Sequence, residues 1–169
     1  MRRYNARTKK VQPDDLKDPY MSAIEYKDMD VCRVCRNIYH NKRWVKDNDL
    51  FERLMKKPEK VSYTVCPSCR KIETHYFEGI VELKGDFLFE HKDEILNLIK
   101  NTEKRADYIN PLYRIGDIEI DEKDKTIRLA TTSADLAQRI GKNIEKAYEG
   151  VLGLSFSDDN KLVRVHWER

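Results

Sequence analysis

The chain is 169 residues long, 37 % charged and 40 % apolar, with a formal net charge of +3. That length suits one ordinary domain or two small ones, and the apolar share is too high for a wholly disordered chain. No apolar run approaches the roughly eighteen residues that a membrane-spanning helix needs.

The first thirty residues read as a basic arm. Arg2, Arg3, Arg7, Lys9 and Lys10 cluster there, and Pro13 and Pro19 interrupt any helix. Met1 to Asn5 lead into no apolar stretch, so no secretory signal is expected.

Residues 31–75 contain all four cysteines, in two matched C-x-x-C pairs: Cys32-Arg33-Val34-Cys35 and Cys66-Pro67-Ser68-Cys69. Each pair can form a tight turn that aims two sulfurs at one point. Two such turns make a tetrahedral four-thiolate site, which suits one zinc ion. Disulfides within the pairs, or four inert buried thiols, are the alternatives. A redox C-x-x-C normally opens an apolar helix, and neither pair is followed by an obvious one. Four cysteines fill the coordination shell, so the expected site is structural, and His40 and His75 read as solvent-facing. Paired cysteines without a secretory signal point to a reducing compartment, and the cytoplasm is the expected location.

Between the pairs, Ile38–His40 and Arg43–Val45 are short runs of strand formers. Asp49 and Glu52 stand three apart as a helix cap, ahead of Leu50, Phe51, Leu54 and Met55 on one face. Pro58 ends that helix, and residues 61–65 alternate as a strand into the second pair. The region carries eleven Lys and Arg against five Asp and Glu. This local excess suggests an anionic partner, nucleic acid above all. Arg33, Arg36, Lys42, Arg43, Arg70 and Lys71 are the candidate phosphate contacts. For Arg36 and Arg70, stabilisation of the thiolates is an equal alternative. Tyr39, Trp44 and Tyr63 can stack on bases or pack over the metal site.

Residues 76–113 read as a connector: a strand around Phe77–Leu83, a turn at Gly85-Asp86, and a helix to about Ala106 with Leu88, Ile95, Leu96 and Ile99 inward. Asn110-Pro111 closes it.

Residues 114–169 read as β-β-α-β-β. Ile115, Ile118 and Ile120 pair with Ile127 and Leu129 across a polar turn. Thr132 or Ser133 caps a helix carrying Leu136, Ala137, Ile140, Ile144, Ala147 and Tyr148, and Gly150 stops it. Leu152, Leu154 and Phe156, then Val163, Val165 and Trp167, alternate as two further strands. The expected fold class is α+β: a small zinc ribbon followed by an antiparallel ββαββ sheet with one packed helix.

The paired cysteines, the run Ala130–Lys142 and the ending Lys161–Trp167 together resemble the NMD family of large-subunit export adaptors, in its short prokaryotic form. The second unit is also similar in fold to a small large-subunit ribosomal protein. The resemblance spans residues 30–169. It implies zinc at Cys32, Cys35, Cys66 and Cys69, and contact with large-subunit ribosomal RNA or ribosomal protein. Longer family members carry a second metal site and a further barrel, for which this chain has neither cysteines nor room. It also lacks a leucine-rich export signal, so nuclear export is not implied.

The resulting expectation is a non-catalytic zinc protein associated with the ribosome, in assembly, stability or quality control. A protein–protein adaptor that uses the sheet or its edge near Val165 and Trp167 is the alternative, although core packing is the first reading of both residues. No phosphate loop, nucleophile motif or open metal shell suggests an enzyme.

Overall fold

The structure is a computed structural model that describes residues 24–157 and 161–169. Most of the basic arm expected over residues 1–30 therefore falls outside the described residues.

Two sheets organise these residues. The first joins β1 (Asp30–Cys32), β2 (Ile38–His40), β3 (Arg43–Val45) and β4 (Tyr63–Thr64) in the order β3-β2-β1-β4. Asn41 and Lys42 link β2 to β3 with positive φ of 51° and 62°, the twist that a two-residue hairpin favours. The helix α1 (Asn48–Met55) follows. Its cap is Asp47, not Asp49: the Asp47 carboxylate accepts the Leu50 amide at 2.8 Å, while Asp49 sits in the first turn. A 3₁₀ turn at Pro58–Lys60 separates it from β4.

The second sheet holds β5 (Gly79–Lys84), β6 (Ile115–Asp121), β7 (Thr126–Thr131), β8 (Val151–Phe156) and β9 (Val163–Glu168), ordered β6-β7-β5-β9-β8. Three helices accompany it: α3 (Asp86–Glu90), α4 (Lys92–Ile109) and α5 (Ala134–Tyr148). Ser133 caps α5, its hydroxyl accepting the Asp135 amide. Val81 and Leu83 of β5, Ile127 and Leu129 of β7, and Val163, Val165 and Trp167 of β9 face one side. There they pack with Ile95 and Ile99 of α4 and Leu136, Ile140 and Ile144 of α5. Each buried aliphatic side chain contributes about 1.5–3 kcal/mol. Gly141 lets α5 approach β9: a Cβ there would stand 2.4 Å from Val165 Cγ1. Trp167, fully buried, donates its indole N–H to the Glu149 carbonyl at 2.6 Å.

The α+β class and the metal-unit-then-sheet order are as expected, but the sheet differs in detail. It has five strands and is mixed. The strand of the presumed connector, β5, lies at its centre, antiparallel to β7 and parallel to β9. A second helix, α4, packs beside α5. The alternation of β5 identifies a strand, but its partner in β9 is some eighty residues away, beyond any local pattern. Of the two roles open to Val165 and Trp167, core packing and an edge surface, the structure shows core packing. β9 is an interior strand and both side chains are core, because β8 pairs along its outer side and forms the edge. Among the described residues, no helix is long and apolar enough to cross a membrane.

Candidate metal centre

The two cysteine pairs meet because β1 and β4 pair in parallel. Their register sets Cys32 opposite Thr64, two residues before Cys66. The first pair closes through Arg36, whose positive φ of 64° returns the chain on itself. The Arg36 amide then donates to the Cys32 carbonyl at 2.9 Å, and the Cys32 amide to the Asn37 carbonyl at 2.8 Å.

The second pair opens a helix, contrary to the sequence reading. Cys66 caps α2 (Pro67–Glu73), and Pro67 at its first position has the φ a helix start needs. Seven residues with little apolar content gave no periodicity to read.

All four sulfurs lie within 4.8 Å of one another. Cys32 and Cys66 are fully buried, Cys69 nearly so, and Cys35 half-buried. The sulfurs of Cys35 and Cys66 are 3.6 Å apart, and all four cysteines are free of disulfides. Amides already point at two of them: Cys66 N–H at the sulfur of Cys32, 3.3 Å, and Cys69 N–H at that of Cys66, 3.4 Å. The donor set fits one metal ion, because four convergent sulfurs with N–H donors are what a thiolate-bound cation needs.

The four sulfurs share protons unequally. Hydrogen bonds from Cys35, Cys66 and Cys69 drive the Cys32 thiol far down. Cys35 is lowered to about 7: the opposing effect of Cys32 is outweighed by hydrogen bonds from Cys66 and Cys69. Cys66 and Cys69 are pushed up, first by Cys32 and then by Cys35, because both donate their protons to those sulfurs. Without a cation, four thiolates cannot coexist at this spacing.

An aromatic trio packs against the cluster. Tyr26, Tyr39 and Trp44 have ring centroids 5.1–5.5 Å apart. Of the three aromatics expected to pack or stack, Trp44 is buried, Tyr39 is half-buried and Tyr63 is exposed. His40 meets Asp28, and His75 meets Asp117; neither joins the sulfurs.

The six candidate phosphate contacts separate into two groups. Arg33, Lys42 and Arg43 are exposed. Arg36 is exposed too, but its guanidinium stands over the Phe51 ring, 5.8 Å from the centroid. Arg70 reaches back to the Val65 carbonyl at 3.4 Å. Lys71 is buried and ion-paired with Glu78, so it is no surface contact. Two residues that sequence reasoning missed come from the end of the connector and the start of the following unit. Leu112 packs on the cluster, and Arg114 donates from Nη1 to the sulfur of Cys69 at 3.3 Å. Neither residue stands in any motif. Compared with known proteins, the chain matches no family model, no curated protein and no solved structure.

Proposed function

We propose that the protein is a non-catalytic, cytoplasmic zinc protein that binds large-subunit ribosomal RNA or ribosomal protein, serving ribosome assembly, stability or quality control. The four-sulfur cluster carries the zinc half. A zinc–sulfur bond of about 2.3 Å puts the sulfurs of a regular tetrahedron roughly 3.8 Å apart. The 3.6 Å between Cys35 and Cys66 fits that figure. Four thiolates fill the shell, which favours a structural ion. When bound, zinc supplies folding free energy to a unit whose own core is small.

The RNA half rests on the exposed Arg33, Lys42 and Arg43 in a region with excess basic charge. The resemblance to the NMD family, carried by the cysteine pairs and residues 130–142 and 161–167, supports the ribosome as the partner. Phosphate contacts of this kind set position and weaken steeply with salt. Two measurements test the reading: sedimentation of cell extract with large subunits, and RNA affinity against salt for the native chain and a Lys42→Glu, Arg43→Glu variant. Co-sedimentation, a steep salt slope and weaker binding by the variant are expected. Binding that ignores both salt and the variant would overturn it.

One observation favours a protein adaptor instead. The edge strand β8 exposes Val151, Leu154 and Phe156, the first at 72 %. Pairing of an extended peptide along β8 would use that edge. Partners that survive nuclease treatment would support this second reading, and their loss would reject it.

A further inference from the structure

We infer that Arg114 is a positioning residue of the metal centre, so that metal retention depends on the sheet unit as well as on the cysteines. This inference rests on the metal reading above. The segment Pro111–Arg114 joins α4 to β6 and reaches both cysteine pairs. Asn37, whose carbonyl closes the first pair, is itself buried and donates from Nδ2 to the Pro111 carbonyl at 3.3 Å. Leu112 packs against the buried cluster of Cys32, Trp44, Cys66 and Cys69. Arg114 then sends Nη1 to Cys69 of the second pair.

Arg114 is held in place by the sheet. Its amide donates to Thr132 Oγ1 at 3.0 Å, and its carbonyl accepts the Thr132 amide at 2.9 Å. Thr132 is buried and donates its hydroxyl to the Leu112 carbonyl at 2.7 Å. One threonine beyond the end of β7 therefore fixes both residues that meet the cluster. Among the described residues, no carboxylate pairs with the Arg114 guanidinium, so its charge is directed at sulfur.

The chemistry follows from charge. Four thiolates around a divalent cation leave a net −2. A guanidinium at one sulfur offsets part of that charge and, as a directed N–H donor, holds the Cys69 sulfur in its place in the cluster. Because coupling is reciprocal, the bound ion in turn steadies the Pro111–Arg114 strap.

The test uses the full-length, metal-loaded chain and follows metal transfer to a chromophoric chelator. Arg114→Gln should bind metal about 10–100-fold more weakly, the usual effect of losing such a partner, and so release it faster. Arg114→Lys keeps the charge and should restore most of the retention. Thr132→Val, which removes the hydroxyl that fixes Leu112 and Arg114 but touches no sulfur itself, should speed release to a smaller degree. A loaded Arg114→Gln chain with native release kinetics would overturn the inference, as would Arg114→Lys behaving like Gln. A native chain without stoichiometric metal would overturn the metal reading and this inference together.

Discussion

The sulfur of Cys66 accepts the amide of Cys69 at 3.4 Å, so one atom both caps α2 and joins the four-sulfur cluster. Local structure and metal site are thus a single feature. Replacing Cys66 by Ser keeps a cap, because a hydroxyl accepts the same amide. It removes a soft ligand, however. Cys66→Ser should lose its metal and unfold at a much lower temperature, although α2 keeps its capping group. Metal analysis and thermal melts check this; a loaded, native-like Ser variant would contradict it.

Acid should strip the metal, and the sign follows from the thiols. Metal binding displaces whatever protons the sulfurs carry, so affinity rises with pH. Cys66 and Cys69 are held protonated by the sulfurs they donate to, which makes two protons to displace near pH 8. Below the value of about 7 reached by Cys35, a third joins them. The logarithm of apparent affinity should then climb with pH, and more steeply below about 7 than near pH 8. Competition titrations at several pH values give the slope directly.

Lys71 should behave as a structural residue. Its ammonium pairs with Glu78, which has a side chain only 25 % exposed. Lys71→Met leaves that carboxylate poorly solvated and unpaired, at a cost of about 2 kcal/mol. Denaturant melts should show the loss. In the same assay, the Lys42→Glu, Arg43→Glu variant should stay within about 0.5 kcal/mol of the native chain, since both side chains are exposed.

Gly141→Ala separates propensity from packing. Helix propensity alone would favour Ala by about 1 kcal/mol. The added Cβ would fall 2.4 Å from Val165 Cγ1 and 3.1 Å from Leu152 Cδ1, in a close-packed layer. Overpacking should win, at a net cost of about 1–2 kcal/mol. A rise in melting temperature would show that α5 can shift away from β9 at little cost.

Much of this architecture was legible in residue patterns. The hairpin strands at Ile38–His40 and Arg43–Val45 stand where β-branched and aromatic residues cluster. The stripe of α5 begins at its Ser133 cap and ends just before Glu149 and Gly150, both at positive φ. The four cysteines were fixed by spacing alone. Whatever depends on long-range meeting was not legible. β5 looks like any half-buried strand, and only the distant β9 makes it central. Lys71 looks like any surface cation until α2 turns it towards Glu78. Arg114 carries no sign of its sulfur, because Cys69 is 45 residues away in the chain. The short helix α2 hid behind Pro67, which marks turns and helix starts alike.

The most direct test of the whole account is the metal content of the purified, full-length chain, by native mass spectrometry and elemental analysis under reducing conditions. One zinc ion per chain is predicted, absent from Cys32→Ser and Cys69→Ser variants. A metal-free native chain, folded and with its four thiols free or paired as disulfides, would contradict it.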